Sequence, residues 1–135
     1  MSKVLVIDDE SYIREELRHG LESAGFTVEE ASDGRHAVKL VQRAPPDLVI
    51  TDIFMSDMDG IQTIREIKAH SPGVKIIAIS GGGSGHFSDY LVWAKKLGAD
   101  AIFMKPIDLA ELLYEVCDLV VGGSNQFPTA GSEIG

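Results

Sequence analysis

The chain has 135 residues, 44% of them apolar, a formal charge of −9 and one cysteine, Cys117. That length suits one domain with a full core, and a lone cysteine excludes an internal disulfide and fits a reducing cytoplasm. The acidic balance argues against direct contact with a nucleic-acid backbone, which needs clustered Lys and Arg. No apolar run approaches the ~18 residues of a membrane span. The apolar run at residues 4–7 is too short for the core of a secretory signal, so a cytoplasmic location is expected.

Lys3–Ile7 is rich in β-branched residues, as a central parallel strand is, and it ends in Asp8-Asp9. Ile13, Leu17, Leu21 and Ala24 recur at helical spacing, with Gly25 placed to cap the helix. Asp8-Asp9 also stands where that helix would take an N-cap. Thr27–Ala31 is more polar, which suits an edge strand. Asp33 can cap a second helix with Ala37, Leu40, Val41 and Ala44 inward, and Pro45-Pro46 stops it.

Residues 48–50 form a short apolar run, the pattern of a strand buried on both faces, and the run ends in Asp52. Asp59-Gly60 opens a third helix with Ile61, Ile64 and Ile67 inward. Residues 74–79 are another buried strand, stopping at Ser80 before the glycine-rich stretch 81–85. Phe87, Leu91, Ala94 and Leu97 outline a fourth helix, ended by Gly98, on which Trp93 falls outside the inner stripe. Ala101–Met104 is a fifth strand and runs into Lys105-Pro106. Asp108 and Glu111 have capping-box spacing. They begin a fifth helix with Leu109, Leu113, Val116 and Val120 inward and Cys117 expected in the packing. Residues 122–135 hold little to bury and read as a flexible tail or linker, leaving 1–121 as the domain. Strict strand–helix alternation predicts a three-layer α/β fold, a doubly wound parallel sheet joined by right-handed crossovers.

Four strands thus end in polar residues: Asp8-Asp9, Asp52, Ser80 and Lys105. In a parallel sheet those ends share one edge, where open α/β sheets bind their ligands. Three carboxylates gathered there repel, at about 3 kcal/mol per pair for ~5 Å and an effective dielectric near 20. Lys105 and a hard divalent cation such as Mg2+ are the candidates to offset this. A phosphoryl group fits between a cation-holding acidic half and a Lys105/Ser80 half. Asp52, already an anion, can attack phosphorus without a general base. The four histidines, His19, His36, His70 and His86, lack metal-ligand spacing and read as surface residues.

In this order the residues closely resemble the receiver domains of two-component response regulators, the family of the chemotaxis protein CheY. The features that carry the resemblance run over residues 3–121. They are the acidic pair after strand one, Asp52 after strand three, the Met55-x-x-Met58-Asp59-Gly60 loop, Ser80 after strand four and Lys105-Pro106 after strand five. The resemblance implies a flavodoxin-like fold with strand order 2-1-3-4-5 and a cis Lys105-Pro106 bond. It implies that Asp52 is the phosphoacceptor and Asp9 a direct Mg2+ ligand, with Asp8 acting through metal-bound water and the backbone carbonyl of Phe54 as a further ligand. Ser80 becomes the hydroxyl switch and Lys105 the phosphate-contacting cation. A sensor histidine kinase or histidine phosphotransfer protein would supply the phosphoryl group. The face of the fourth helix, fifth strand and fifth helix would respond. That face is open to an output protein, which the residues do not identify, or to a second copy of the chain.

The chain departs from the family's commoner pattern at several positions. Ile102 stands where Tyr or Phe is usual, and strand alternation sends Phe103 to the opposite face. Ser56 replaces a common proline. In the family, the positions held here by Phe54 and Gly82 neighbour the route of an attacking water. Two other readings share the same residues. A Mg2+-dependent phosphohydrolase with an aspartyl nucleophile would usually carry an acid two residues on, where Phe54 stands. A degenerate receiver that only scaffolds a partner would not need the residue set intact. The expectation is a switch rather than an enzyme.

Overall fold

The computed structural model describes residues 2–53, 60–80, 92 and 94–122. Five parallel strands, β1 (Lys3–Ile7), β2 (Thr27–Ala31), β3 (Leu48–Asp52), β4 (Lys75–Ser80) and β5 (Ala101–Met104), form one sheet in the order β2-β1-β3-β4-β5. β1 lies between β2 and β3, with Leu5 opposite Glu29 on one side and Val49 on the other. The chain starts in the middle of the sheet, runs to one edge, then returns and builds to the other. This is the parallel doubly wound sheet expected from the alternating pattern, in the flavodoxin-like order that the resemblance implies, with the polar strand at an edge.

The described residues also contain helices α1 (Ser11–Ser23), α2 (Gly34–Arg43), α3 (Gly60–His70) and α4 (Leu109–Gly122), the last being the fifth helix of the sequence pattern. Of the fourth helix of that pattern, residues 92 and 94–96 are helical, and the glycine-rich stretch and Trp93 lie outside the described residues. Alternate strand residues feed two cores, as a two-residue period requires. Val4, Val6, Leu48, Ile50, Ile77 and Ile79 pack with Leu17 and Leu21 of α1 and Leu112 and Val116 of α4. Leu5, Ile7, Val49, Ile76 and Ala78 pack on the opposite face with Ala37 and Val41 of α2, Ile64 and Ile67 of α3, and Ala94.

The helix ends follow from local chemistry. At the end of α1, Gly25 takes φ 98°, a region closed to most side chains. There Phe26 N–H donates to the Leu21 carbonyl and Gly25 N–H to that of Glu22, the paired bonds of a left-handed C-cap. The same two bonds, Ala99 to Ala94 and Gly98 to Lys95, close the helix before β5. Asp33 Oδ1 accepts from His36 N–H at 2.8 Å and caps α2, and Asp108 Oδ1 accepts from Glu111 N–H at 3.2 Å at the start of α4. The Lys105–Pro106 bond is cis.

Core assignments differ from the sequence pattern at the ends of α1 and α2 and along α4; Ala24, the C-cap residue of α1, is exposed. Ala44 is exposed and Val38 is buried in its place. Ala44 precedes Pro45, which disfavours helical backbone there, and its ψ of 96° takes it out of α2. On α4, Leu112 is fully buried and Leu113 only partly, and Cys117 is exposed. α4 is apolar on most sides, so its periodicity does not single out one face. His19, His36 and His70 are exposed, as expected.

Candidate functional site

The carboxyl ends of β1, β3, β4 and β5 form one edge of the sheet, and each delivers a polar group. Asp52 is the last residue of β3, pairing in register with Ile79 of β4, and is only 4% exposed. Asp8 follows β1, is 1% exposed, and keeps sheet contact by donating its N–H to the Ala31 carbonyl. One carboxylate oxygen from each of Asp8, Asp9 and Asp52 lies within 4.8 Å of the others, with Asp9 facing solvent.

Lys105 enters this cluster from the turn after β5. Its Nζ is 3.1 Å from Asp52 Oδ2, 3.4 Å from Asp8 Oδ2 and 3.7 Å from Glu10 Oε1. Its backbone N–H donates to the Ser80 carbonyl at 2.8 Å, which ties the lysine to the end of β4. Ser80 is fully buried at that strand end, beside β3. The four expected strand ends therefore meet, and Phe54, the expected carbonyl ligand, lies outside the described residues.

Asp8 does not cap α1 through its side chain. The N-cap residue is Glu10, which makes no side-chain cap bond, and Asp8 Oδ1 instead accepts from the Glu10 N–H at 2.9 Å. Burial pushes the Asp8 carboxyl above its ordinary range. The Glu10 N–H and Lys105 work against this shift, and the Asp52 charge adds to it. Burial also disfavours the Lys105 ammonium, but the Asp52 and Asp8 carboxylates outweigh it and raise the lysine's pKa. An excess of buried negative charge with oxygen donors alone fits a hard divalent cation, and Asp8, Asp9 and Asp52 are placed to hold a metal ion.

Gly60 opens α3 directly against this edge. Its N–H donates to the Ile53 carbonyl at 2.8 Å, and a Cβ on it would run into the Asp52 carbonyl and the Ile53 backbone. Its presence in the Asp59-Gly60 pair is thus a matter of close approach to the strand that carries Asp52.

Residues 4–116 match the response regulator receiver domain family. The chain belongs to that family. The response regulator MprA of Mycolicibacterium vanbaalenii is 34% identical over 111 residues, covering 82% of this chain and 47% of MprA. The transcriptional regulatory protein CusR of Escherichia coli is 33% identical over 122 residues, covering 90% of this chain and 52% of CusR. The receiver thus spans about half the length of these curated relatives. Among solved structures, the chemotaxis protein CheY4 of Vibrio cholerae superposes with a TM-score of 0.79 at 30% identity, covering 88% of this chain and 98% of CheY4. Receivers are signalling switches, and among the described residues no helix is long and apolar enough to cross a membrane.

Two features of this receiver escaped the sequence pattern. Glu10, a third acid after Asp8-Asp9, reaches Lys105, and its only sequence signal is its place in the acidic run. Arg14 donates from Nη1 to the Asp8 carbonyl at 2.7 Å, and nothing in a helical Arg announces a partner on another element. The departure at Ile102 holds in three dimensions. Ile102 packs on the core of α2 and α3 and Phe103 on that of α1 and α4, so the aromatic faces away from the usual position.

Proposed function

We propose that this receiver accepts a phosphoryl group on Asp52 from a histidine kinase or histidine phosphotransfer protein and passes the signal to an output protein. The observation that carries this reading is the Lys105–Asp52 contact of 3.1 Å inside a cluster of three carboxylates. An Asp52 oxygen attacks phosphorus, the bond from phosphorus to the donor's imidazole nitrogen breaks, and its electron pair leaves with that nitrogen. Lys105 offsets charge on the transferring oxygens, and the Ser80 hydroxyl donates a hydrogen bond to one of them. Asp8, Asp9 and Asp52, with the Phe54 carbonyl, would hold Mg2+, which when bound neutralises phosphoryl charge.

Phosphorylation adds about one negative charge over the carboxylate, with three strong acceptors. Drawing Ser80 and Lys105 toward them pulls on the ends of β4 and β5. Beside these ends lies a groove of about 410 Å³ lined by Phe103, Ala110, Glu111, Tyr114 and Glu115, in which Tyr114 is 74% exposed. This face of β5 and α4 suits an output protein or a second copy of the chain. Intact mass after incubation with acetyl phosphate and Mg2+ tests the reading. One phosphoryl addition is expected, and none in Asp52→Asn. No addition to the unaltered chain, or an addition that persists in Asp52→Asn, contradicts it.

A further inference from the structure

Asp8 is held at its backbone as well as at its carboxylate. Its N–H donates to Ala31 of β2 at 3.2 Å, and its carbonyl accepts from Arg14 Nη1 at 2.7 Å. Arg14 is itself anchored: its Nε donates to Glu30 Oε1 of β2 at 3.0 Å, and Glu30 Oε2 is 2.9 Å from Arg18 Nη1. The Arg14 and Glu30 side chains are 18% and 24% exposed, so the pair is partly sheltered from solvent screening.

A peptide unit is planar, so fixing the carbonyl of residue 8 fixes the amide it shares with Asp9 and the direction from which Asp9 leaves the strand. Building on the proposed Mg2+ site, we infer that Arg14, braced by Glu30, is a positioning residue that aims the Asp8-Asp9 pair at the metal and so sets its affinity. Groups that orient ligands without touching a metal commonly alter affinity roughly 10–100-fold when removed. The rival role is a plain staple between α1 and β2. Arg18 supplies the comparison, because it binds the same Glu30 and has no described contact with Asp8.

The test titrates MgCl2 into the full chain and reads Mg2+ affinity from the rise in melting temperature, without any phosphodonor. Arg14→Met keeps most of the apolar stem and removes the donors. It should weaken Mg2+ binding roughly tenfold or more, while Arg18→Met stays within about twofold of the unaltered chain. Unchanged Mg2+ affinity in Arg14→Met, or equal weakening in Arg18→Met, overturns the positioning role. If Arg14→Met does not fold, Glu30→Ala frees the guanidinium from outside the site. Weaker Mg2+ binding then supports the role and unchanged binding overturns it. An unaltered chain that gains no stability from Mg2+ removes the metal-dependent reading itself, and this inference with it.

Discussion

Asp8 and Asp52 are buried at the ends of adjacent strands, and two like charges out of water are costly unless cations join them. Lys105 meets part of that cost. The Asp8 carboxyl nevertheless titrates above its ordinary value of 3.8, so protonation favours the folded chain. That contribution is fully present below the ordinary value and is lost as pH rises through the higher folded one. In metal-free buffer at neutral pH, Asp8→Asn should therefore be the more stable protein, by about 1 kcal/mol or roughly 3–4 °C. The gap should close toward acid, and thermal melts across pH check this. Lys105 carries the same sign at higher pH: its contribution holds below 10.5 and is lost as pH rises through its raised folded value. Asp8, Asp9, Asp52, Ser80 and Lys105 were legible because each stands where an apolar strand stops. Glu10 and Arg14 were not, because Glu10's partner, Lys105, lies far along the chain and Arg14's is a backbone carbonyl, which no side-chain pattern marks.

α2 and α4 start, and two helices close, as their end signals dictate, whereas α1 starts without the cap that Asp8-Asp9 offered. Gly60 is the clearest case of an element placed by the absence of a side chain. Gly60→Ala should cost about 2–3 kcal/mol in urea unfolding, because the new methyl meets backbone rather than a flexible side chain. Asp33→Ala, which removes the cap bond to His36, should cost about 1 kcal/mol. Strand positions were readable because β1, β3 and β4 are buried on both faces and read as unbroken apolar runs. The inner face of α4 was less so. Leu109, Leu112, Leu113, Val116, Leu119 and Val120 all pack on the core, and the close fit of Leu109 against Gly20 of α1 fixes which of them turn fully inward. A contact between two helices far apart in sequence leaves no trace in the periodicity of either one.

At the scale of the molecule, the winding order brings distant segments to one edge and makes them a single site. A ligand that binds only the folded chain stabilises it by mass action. Mg2+ at one hundred times its dissociation constant should add about 2.7 kcal/mol, and Asp9→Asn should abolish most of that gain in a thermal titration. Phosphorylation should then change amide hydrogen exchange in β5 and α4, while α2, on the far side of the sheet, keeps its protection. On the proposed function, one carboxylate among the clustered acids receives the phosphoryl group. Treating the phosphorylated chain with borohydride, which reduces an acyl phosphate to an alcohol, marks that residue for peptide mass mapping. The account predicts a single reduced residue at Asp52. Reduction at Asp8, Asp9 or any other carboxylate, with Asp52 intact, would contradict it.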